Sequence, residues 1–243
     1  MATGGELGGG LEAIVLAAGS GARFGGRKLL APWGEGVLLD GALAAALAAP
    51  ARSVTVVTGA DAEDVAAAAR GFDPAVRIVH AADHAEGMGA SLRTGIASLP
   101  ADAAGVFVFL GDMPRVPLAV LPKLVEAMAK GALAAAPTHE GRRGNPVLIG
   151  RDLFPQLLAL TGDTGARSVL QGLGDRLALV EAPDDGVLFD VDAPGDLRGE
   201  AFTNGRLVVA GWPMARSALA TAGAITGVPG SPTPLGGLAE ATK

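Results

Sequence analysis

Apolar runs rich in branched residues alternate with longer stretches of helical character along most of the chain. AIVLAAG precedes VLLDGALAAALAA, SVTVVTG precedes AEDVAAAARGF, and VRIVH precedes a glycine turn and a helix expected from about Ala90 to Leu99. Short apolar runs bounded by turn signals suit strands buried on both faces, and their alternation with helices is the sequence form of βαβ units. The pattern continues with the strand GVFVFLGD, a helix from Leu118 to Lys130 and a strand around Leu133 to Ala136. After Pro137 come a GRRGN loop, the strand PVLIG, helices in RDLFPQLLAL and ARSVLQGL, and the strand LALVEA. The segment VLFDVDAPGDL, Val187 to Leu197, is expected to close the fold with a strand end and a turn in which Asp-Ala-Pro opens a short helix. The expected class is α/β, a mostly parallel central sheet flanked by helices.

Composition trims both ends of this reading. Residues 1–10 hold five glycines without periodicity and read as a flexible tail. Residues 200–243 contain 20 Ala, Gly or Pro among 44 and read as a second tail, mostly disordered, which leaves 11–199 as one domain. The absence of cysteine excludes disulfides, a thiolate nucleophile and thiolate-bound metals, and His80, His84 and His139 share no ligand spacing. Apolar stretches such as Ala42 to Ala49 fall short of the ~20 residues of a membrane-spanning helix, and MATGGELGGG carries no export signal, so the expected location is cytoplasmic with no membrane partner. A net charge of -6 argues against nucleic acid as a partner but allows a local cationic pocket.

Such a pocket is suggested by LAAGSGARFGGRKLL, Leu16 to Leu30, directly after the first strand. Its glycines free backbone N–H groups to face a ligand, and Arg23, Arg27 and Lys28 add positive charge, a combination suited to a polyphosphate. The spacing matches neither a dinucleotide fingerprint nor a Walker A loop, and a glycine-rich turn with solvated cations is the alternative. Asp112, in FVFLGDMP, falls at a strand's carboxyl end, where open α/β sheets bind ligands and where a carboxylate can hold Mg²⁺; it also reads as a turn or helix cap before Pro114 and Pro117. Asp190 and Asp192 stand two apart in an expected extended segment, so both could reach one ion, or one could ligate while the other caps a helix. EGMGASLRTGI places Ser91 and Arg93 in the first turn of a helix whose backbone donors could meet a sugar or base. GRRGNPVLIGRDLF and GDTGAR add Arg142, Arg143, Asn145, Arg151 and Arg167, suited to a second anionic substrate, with surface loop arginines as the alternative. Carboxylates at strand ends, a basic loop and a second basic patch fit metal-assisted nucleotidyl transfer to an already ionised phosphate, which requires no general base.

From about Ala13 to Leu197 these motifs, in this order, resemble the molybdenum cofactor nucleotidyltransferases, and within them the cytidylyltransferase branch. The loop resembles the family's LAAG-x-S-x-R-x-G-x-x-K-L-L signature, EGMGASLRTGI its E-G-M segment, GDMP its metal strand, and RGNPVLIGRDLF and GDTGAR its acceptor-side segments. The resemblance implies a Rossmann-like nucleotidyltransferase fold and Mg²⁺-dependent transfer of CMP from CTP to molybdopterin, with release of pyrophosphate, in service of a molybdenum hydroxylase. It implies that Leu16, Ala17, Ala18, Gly19, Ser20, Gly21 and Ser91 bind the nucleotide and that Arg23, Lys28 and Asp112 are catalytic. It further implies that Asp112 and Asp192 hold Mg²⁺ and that Arg143, Asn145 and Arg167 bind the acceptor. Guanylyl-transferring relatives usually read LAGG, so Ala18 favours cytosine. AADHAEG, Arg115 and DAPGD depart from the family pattern. A GTP-using or sugar- or alditol-phosphate transferase, and a non-catalytic cofactor-binding maturation factor, are the alternative readings.

Overall fold

The computed structural model describes residues 10–162 and 165–199, so the expected tail at 200–243 and all but the last residue of the amino-terminal one lie outside the described residues. From the amino end run β1 (Leu11–Ala17), a small antiparallel pair β2 (Pro32–Trp33) and β3 (Gly36–Val37), and α1 (Leu38–Ala48). There follow β4 (Val54–Thr58), α2 (Ala62–Phe72), β5 (Arg77–His80), α3 (Met88–Ala97), β6 (Gly105–Leu110) and α4 (Val120–Ala129). The last part holds β7 (Ala134–His139), β8 (Arg142–Arg143), β9 (Val147–Gly150), α5 (Phe154–Leu158), α6 (Arg167–Gln171) and β10 (Leu177–Glu181).

The main sheet runs β10-β7-β9-β6-β1-β4-β5, with β8 paired to β7. As expected, it is mostly parallel: β1 pairs in parallel with β4 and β6, β4 with β5, and β7 with β10. The strand in PVLIG is a reversal within it, because β9 runs antiparallel to both β6 and β7. Alternate residues of each strand feed opposite layers. Leu11, Ala13 and Val15 of β1, with Phe107 and Phe109 of β6, pack under α1, α2 and α4; Ile14, Val106 and Val108 pack with α3, α5 and α6. Alanines dominate the buried face of α1 and let it lie close to the sheet, so that Gly41 meets Pro114. No helix among the described residues is long and apolar enough to cross a membrane.

Two expectations require correction. Val187–Leu197 forms no strand: 3-10 turns at Asp185–Val187 and Asp196–Gly199 flank an irregular strap. Nor does Asp192 cap the following turn, because the backbone N–H groups of Asp192 and Ala193 both donate to the Asp196 carboxylate, at 2.9 and 2.8 Å. Pro194, which lacks an N–H, and two nearby acidic groups favour this turn over continued pairing.

At the amino ends of the strands, the buried Glu12 carboxylate accepts from Arg52 and from the Ser53 hydroxyl, and Arg52 also donates to Asp102. This pairing satisfies a charge that burial alone would make costly. Arg151 donates to the carbonyls of Ala103 and Ala101, tying β9 to the turn before β6.

At the start of α1, Asp40 accepts the Val37 N–H at 2.9 Å, but burial outweighs that bond and raises its pKa above the ordinary carboxylate value. A folded-state pKa above the unfolded one means that the ionised side chain costs stability above the folded pKa. The cost fades as pH falls through it toward about 4. Asp40→Asn is therefore expected to raise the melting temperature at pH 7 to 8 and to leave it unchanged near pH 4. Equal gains at both pH values in thermal melts would contradict this account.

Candidate active site

The chain leaves β1 toward β4 on one side and later returns as β6 on the other, so the carboxyl ends of β1 and β6 flank the switch point of the sheet. Ligands of open α/β sheets bind at such a point. After β1, Gly21 takes a left-handed conformation (φ 60°), and its carbonyl accepts from Phe24 and Gly26 at 2.9 and 3.0 Å. A Cβ at Gly21 would lie 2.9 Å from that of Lys28, so glycine lets the two ends of the loop close on each other. Gly25, Gly26 and Arg27 all have positive φ. This turn sends Arg27 outward to Asp64 of α2, 2.8 Å away, with both side chains more than half exposed. Of the three loop cations, Arg23 and Lys28 are the two that reach the cleft.

Lys28 Nζ donates to Asp112 Oδ2 at 2.7 Å and lies 3.6 Å from Asp192 Oδ1. Arg23 stands 3.9 Å from the other Asp192 oxygen and is 86% exposed, free to swing toward a ligand. Asp112 thus comes from the end of β6 and Asp192 from the strap, which the Val191 N–H fastens to the Asp112 carbonyl at 3.1 Å. Because Asp196 caps the turn, the Asp192 carboxylate is left to face the cations. Asp190 lines the same cleft; burial, then the negative charges of Asp192 and Asp112, push its pKa up. The cluster therefore holds more negative charge than Lys28 neutralises.

These groups line a cleft of about 860 Å³, together with Leu16, Ala18, Gly19, Ser20, Gly21 and Ser91. Ser91 is buried near the start of α3, whereas Ala17 sits in the core beneath the cleft rather than on its wall. A second cavity of about 610 Å³ shares Leu16, Met88 and Leu110 with the first. Arg143, Asn145 and Arg167 line it, above an aliphatic floor that includes Leu92, Val108, Val147 and Leu170. The turn carrying Asn145 is fixed by backbone bonds from Gly144 to Pro137 and from Asn145 to Val187, and the Asn145–Pro146 peptide is cis. Burial, reinforced by the charge of Arg167, lowers the pKa of Arg143, so two guanidinium groups already repel each other across this cavity. An anion between them would relieve that repulsion.

The structure thus gathers all but one of the expected site residues into two adjoining cavities and brings four further polar side chains to them. His84, Glu86 and Asp190 line the first, and Gln171 lines the second. Asp190 carried a signal in its i, i+2 spacing from Asp192, and Glu86 in opening the EGMGASLRTGI motif; His84 and Gln171 carried none. Of the remaining loop arginines, Arg142 is exposed on β8 and Arg151 is spent on backbone carbonyls. Of the GDTGAR segment, Asp163 and Thr164 lie outside the described residues.

This sheet, with a basic glycine loop, a strand-end carboxylate and the carboxylates of the strap at its switch point, is that of a nucleotidyltransferase. The chain belongs to the family of the MobA-like NTP transferase domain, matched over residues 13–179. It is 27% identical over 186 residues to the molybdenum cofactor cytidylyltransferase of Escherichia coli K12, covering 76% of this chain and 93% of that one. It is 31% identical over 192 residues to the nicotine blue oxidoreductase of Paenarthrobacter nicotinovorans, covering 74% and 90%. Among solved structures, the manganese complex of Rv0371c from Mycobacterium tuberculosis H37Rv superposes with a TM-score of 0.65 at 25% identity, covering 78% of this chain and 96% of that one.

Proposed function

We propose that the chain transfers CMP from CTP to molybdopterin, or to a molybdenum-bearing form of it, and releases pyrophosphate. The observation that carries this reading is the meeting of two cavities along one shared wall. The first is lined by the loop, Arg23, Lys28, Asp112 and Asp192, and the second by Arg143, Asn145 and Arg167. The nucleotide belongs to the first, with Lys28 and Arg23 on its phosphates, and the acceptor's phosphate belongs between the arginines of the second. An oxygen of that phosphate monoester, already ionised near neutral pH, forms the new bond to the α-phosphorus while the bond to the bridging oxygen of pyrophosphate breaks. The shared wall fixes the approach, and Lys28 and Arg23 receive the charge that grows on the leaving group.

The donor set suits a hard divalent cation. Asp112 and Asp192 offer oxygen ligands, already share one cationic nitrogen, and lie beside a third carboxylate, Asp190, whose pKa burial and then their charge raise. Among the described residues no group of three or more His, Cys, Asp or Glu converges on a point, so Asp112 and Asp192 would hold Mg²⁺ with phosphates and water completing its shell. When bound, the ion supplies charge neutralisation for the triphosphate. The manganese complex of the mycobacterial relative supports a divalent requirement.

Two features favour this acceptor and this base. The aliphatic floor of the second cavity suits a flat heterocyclic body, whereas the hydroxyls of a sugar or alditol would lose their hydrogen bonds against it. Ala18 lines the nucleotide cleft at the position where guanylyl-transferring relatives carry glycine, and likeness to the E. coli cytidylyltransferase points the same way.

Thermal melts with Mg²⁺ and each of CTP, GTP, ATP and UTP test the base. At ~100 times its dissociation constant a ligand adds about 2.7 kcal/mol, roughly 5–10 °C for a domain of this size. CTP is expected to give the largest shift, followed by pyrophosphate release once molybdopterin is added. A larger shift with GTP would overturn the cytidylyl assignment, and release with a sugar phosphate but not with molybdopterin would overturn the acceptor.

A further inference from the structure

The nucleotide cleft and the acceptor cavity share Leu16, Met88 and Leu110, and one side chain ties together two further segments, far apart in sequence, that border them. Arg93, on α3, donates through Nη1 to the carbonyl of Leu160 at 2.7 Å. Through Nη2 it reaches Asp83 at 3.4 Å and Glu86 at 3.2 Å. Asp83 and Glu86 bracket the 3-10 turn His84–Glu86, which with Gly87 and Met88 forms the wall of the nucleotide cleft facing the basic loop. Leu160 lies six residues before Ala166, which with Arg167 lines the acceptor cavity. A backbone bond from the Gly89 N–H to the Gly162 carbonyl at 3.1 Å runs beside the same junction, where a Cβ at Gly89 would lie 2.6 Å from that oxygen. The Arg93 side chain is three-quarters buried and lines neither cavity.

We propose that Arg93 is a positioning residue that holds the nucleotide wall and the segment 160–162, which precedes the acceptor-cavity helix α6, in register, so that the acceptor's attacking oxygen and the α-phosphorus meet in line. The proposal rests on the assignment of the two cavities to the two substrates. A guanidinium is needed because its planar fork donates in two directions at once, whereas a lysine ammonium would satisfy one wall at the expense of the other. Neither substrate touches Arg93, so its loss spares the binding of each and spoils their alignment. A misplacement on the order of 1 Å costs about 100-fold in rate.

The experiment compares the full chain with Arg93→Met and Arg93→Lys by two measurements. The first is hydrogen exchange without substrates, followed at residues 83–89 and 160–162. The second is turnover with CTP, Mg²⁺ and molybdopterin, divided by the number of CTP-binding sites titrated in the same preparation. Arg93→Met is expected to speed exchange in both segments together and to lower kcat per CTP site by about 100-fold. Its CTP dissociation constant should stay within about threefold of wild type, by the same separation of binding from alignment. Arg93→Lys is expected to protect one segment only and to recover part of the rate. A simple folding defect would lower the number of CTP sites and leave kcat per site unchanged, which would overturn the proposal. Faster exchange confined to one segment in Arg93→Met would overturn it too. If the wild-type protein itself released no pyrophosphate, the cytidylyltransferase reading would fail, while the exchange data would still decide whether Arg93 joins the two walls. Should Arg93→Met not fold, the lysine variant carries both measurements.

Discussion

Asp112→Asn is expected to lower pyrophosphate release by about 10²–10³-fold while the melting temperature stays within a few degrees of wild type. The asparagine keeps the shape of the side chain and removes its charge. The strap that bears Asp192 is fastened to the backbone carbonyl of residue 112, not to its carboxylate, so the fold of the site survives the change. What is lost is the anion that holds Lys28 at 2.7 Å and, on the proposed mechanism, one of two carboxylates for the metal. Lys28 then turns to Asp192, already 3.6 Å away, and is drawn off the position from which it would meet the leaving phosphates. Steady-state turnover and thermal melts of the same preparation check both halves. Full activity in Asp112→Asn would remove Asp112 from the mechanism, and a collapsed melting temperature would mean that the ion pair serves the fold instead.

Gly41→Val is expected to be strongly destabilising although it lies outside the site itself. A Cβ at Gly41 would lie 2.5 Å from the carbonyl oxygen of Pro114, 2.6 Å from its Cα and 2.7 Å from its Cβ. These are backbone and ring atoms that cannot rotate away, so either α1 lifts from the sheet or the loop after β6 moves. Overpacking of this kind costs about 1–3 kcal/mol, a fall in melting temperature of roughly 3–10 °C. Pro114 follows Asp112 by two residues, so turnover should fall as well. Melting and turnover of Gly41→Ala and Gly41→Val should decline in that order; an unchanged melting temperature in Gly41→Val would show that α1 and the loop part more readily than their contact suggests.

The parts of this molecule that sequence made legible are those set by local chemistry. Runs such as AIVLAAG and GVFVFLGD have nowhere to lie except between two apolar layers, and they became β1 and β6. The direction of β9 was not legible, because a four-residue apolar run pairs equally well either way, and its reversal depends on the β6 and β7 edges that receive it. The hairpin of β2 and β3 is too short to show a period. In the basic loop, Arg23, Arg27 and Lys28 are equivalent as letters; positive φ at Gly25, Gly26 and Arg27 is what turns one of them to Asp64 and leaves the others at the cleft. The cap of the closing turn was likewise not legible: Asp192 stood as the candidate, and the turn at Pro194 gave the role to Asp196. Arg93 looked like any polar residue in a first helical turn, because its partners lie 7, 10 and 67 positions away.

The reversal of β9 has an evolutionary consequence. A strand running against its neighbours begins where they end, so Arg143 and Asn145, just before β9, arrive at the same rim as Asp112 although they precede their strand rather than follow it. The polar groups proposed to select the two substrates are therefore inherited on separate stretches of chain. The residues read as binding the nucleotide lie between 16 and 112 apart from the strap, and those read as binding the acceptor lie between 143 and 167. Mutation can rewrite the polar groups of the second stretch while the part of the acceptor floor that Leu92 and Val108 supply from the first stays in place. A lineage built on this sheet can thus exchange its acceptor while keeping its donor, with the junction at Arg93 as the place where each new pairing must be brought back into step.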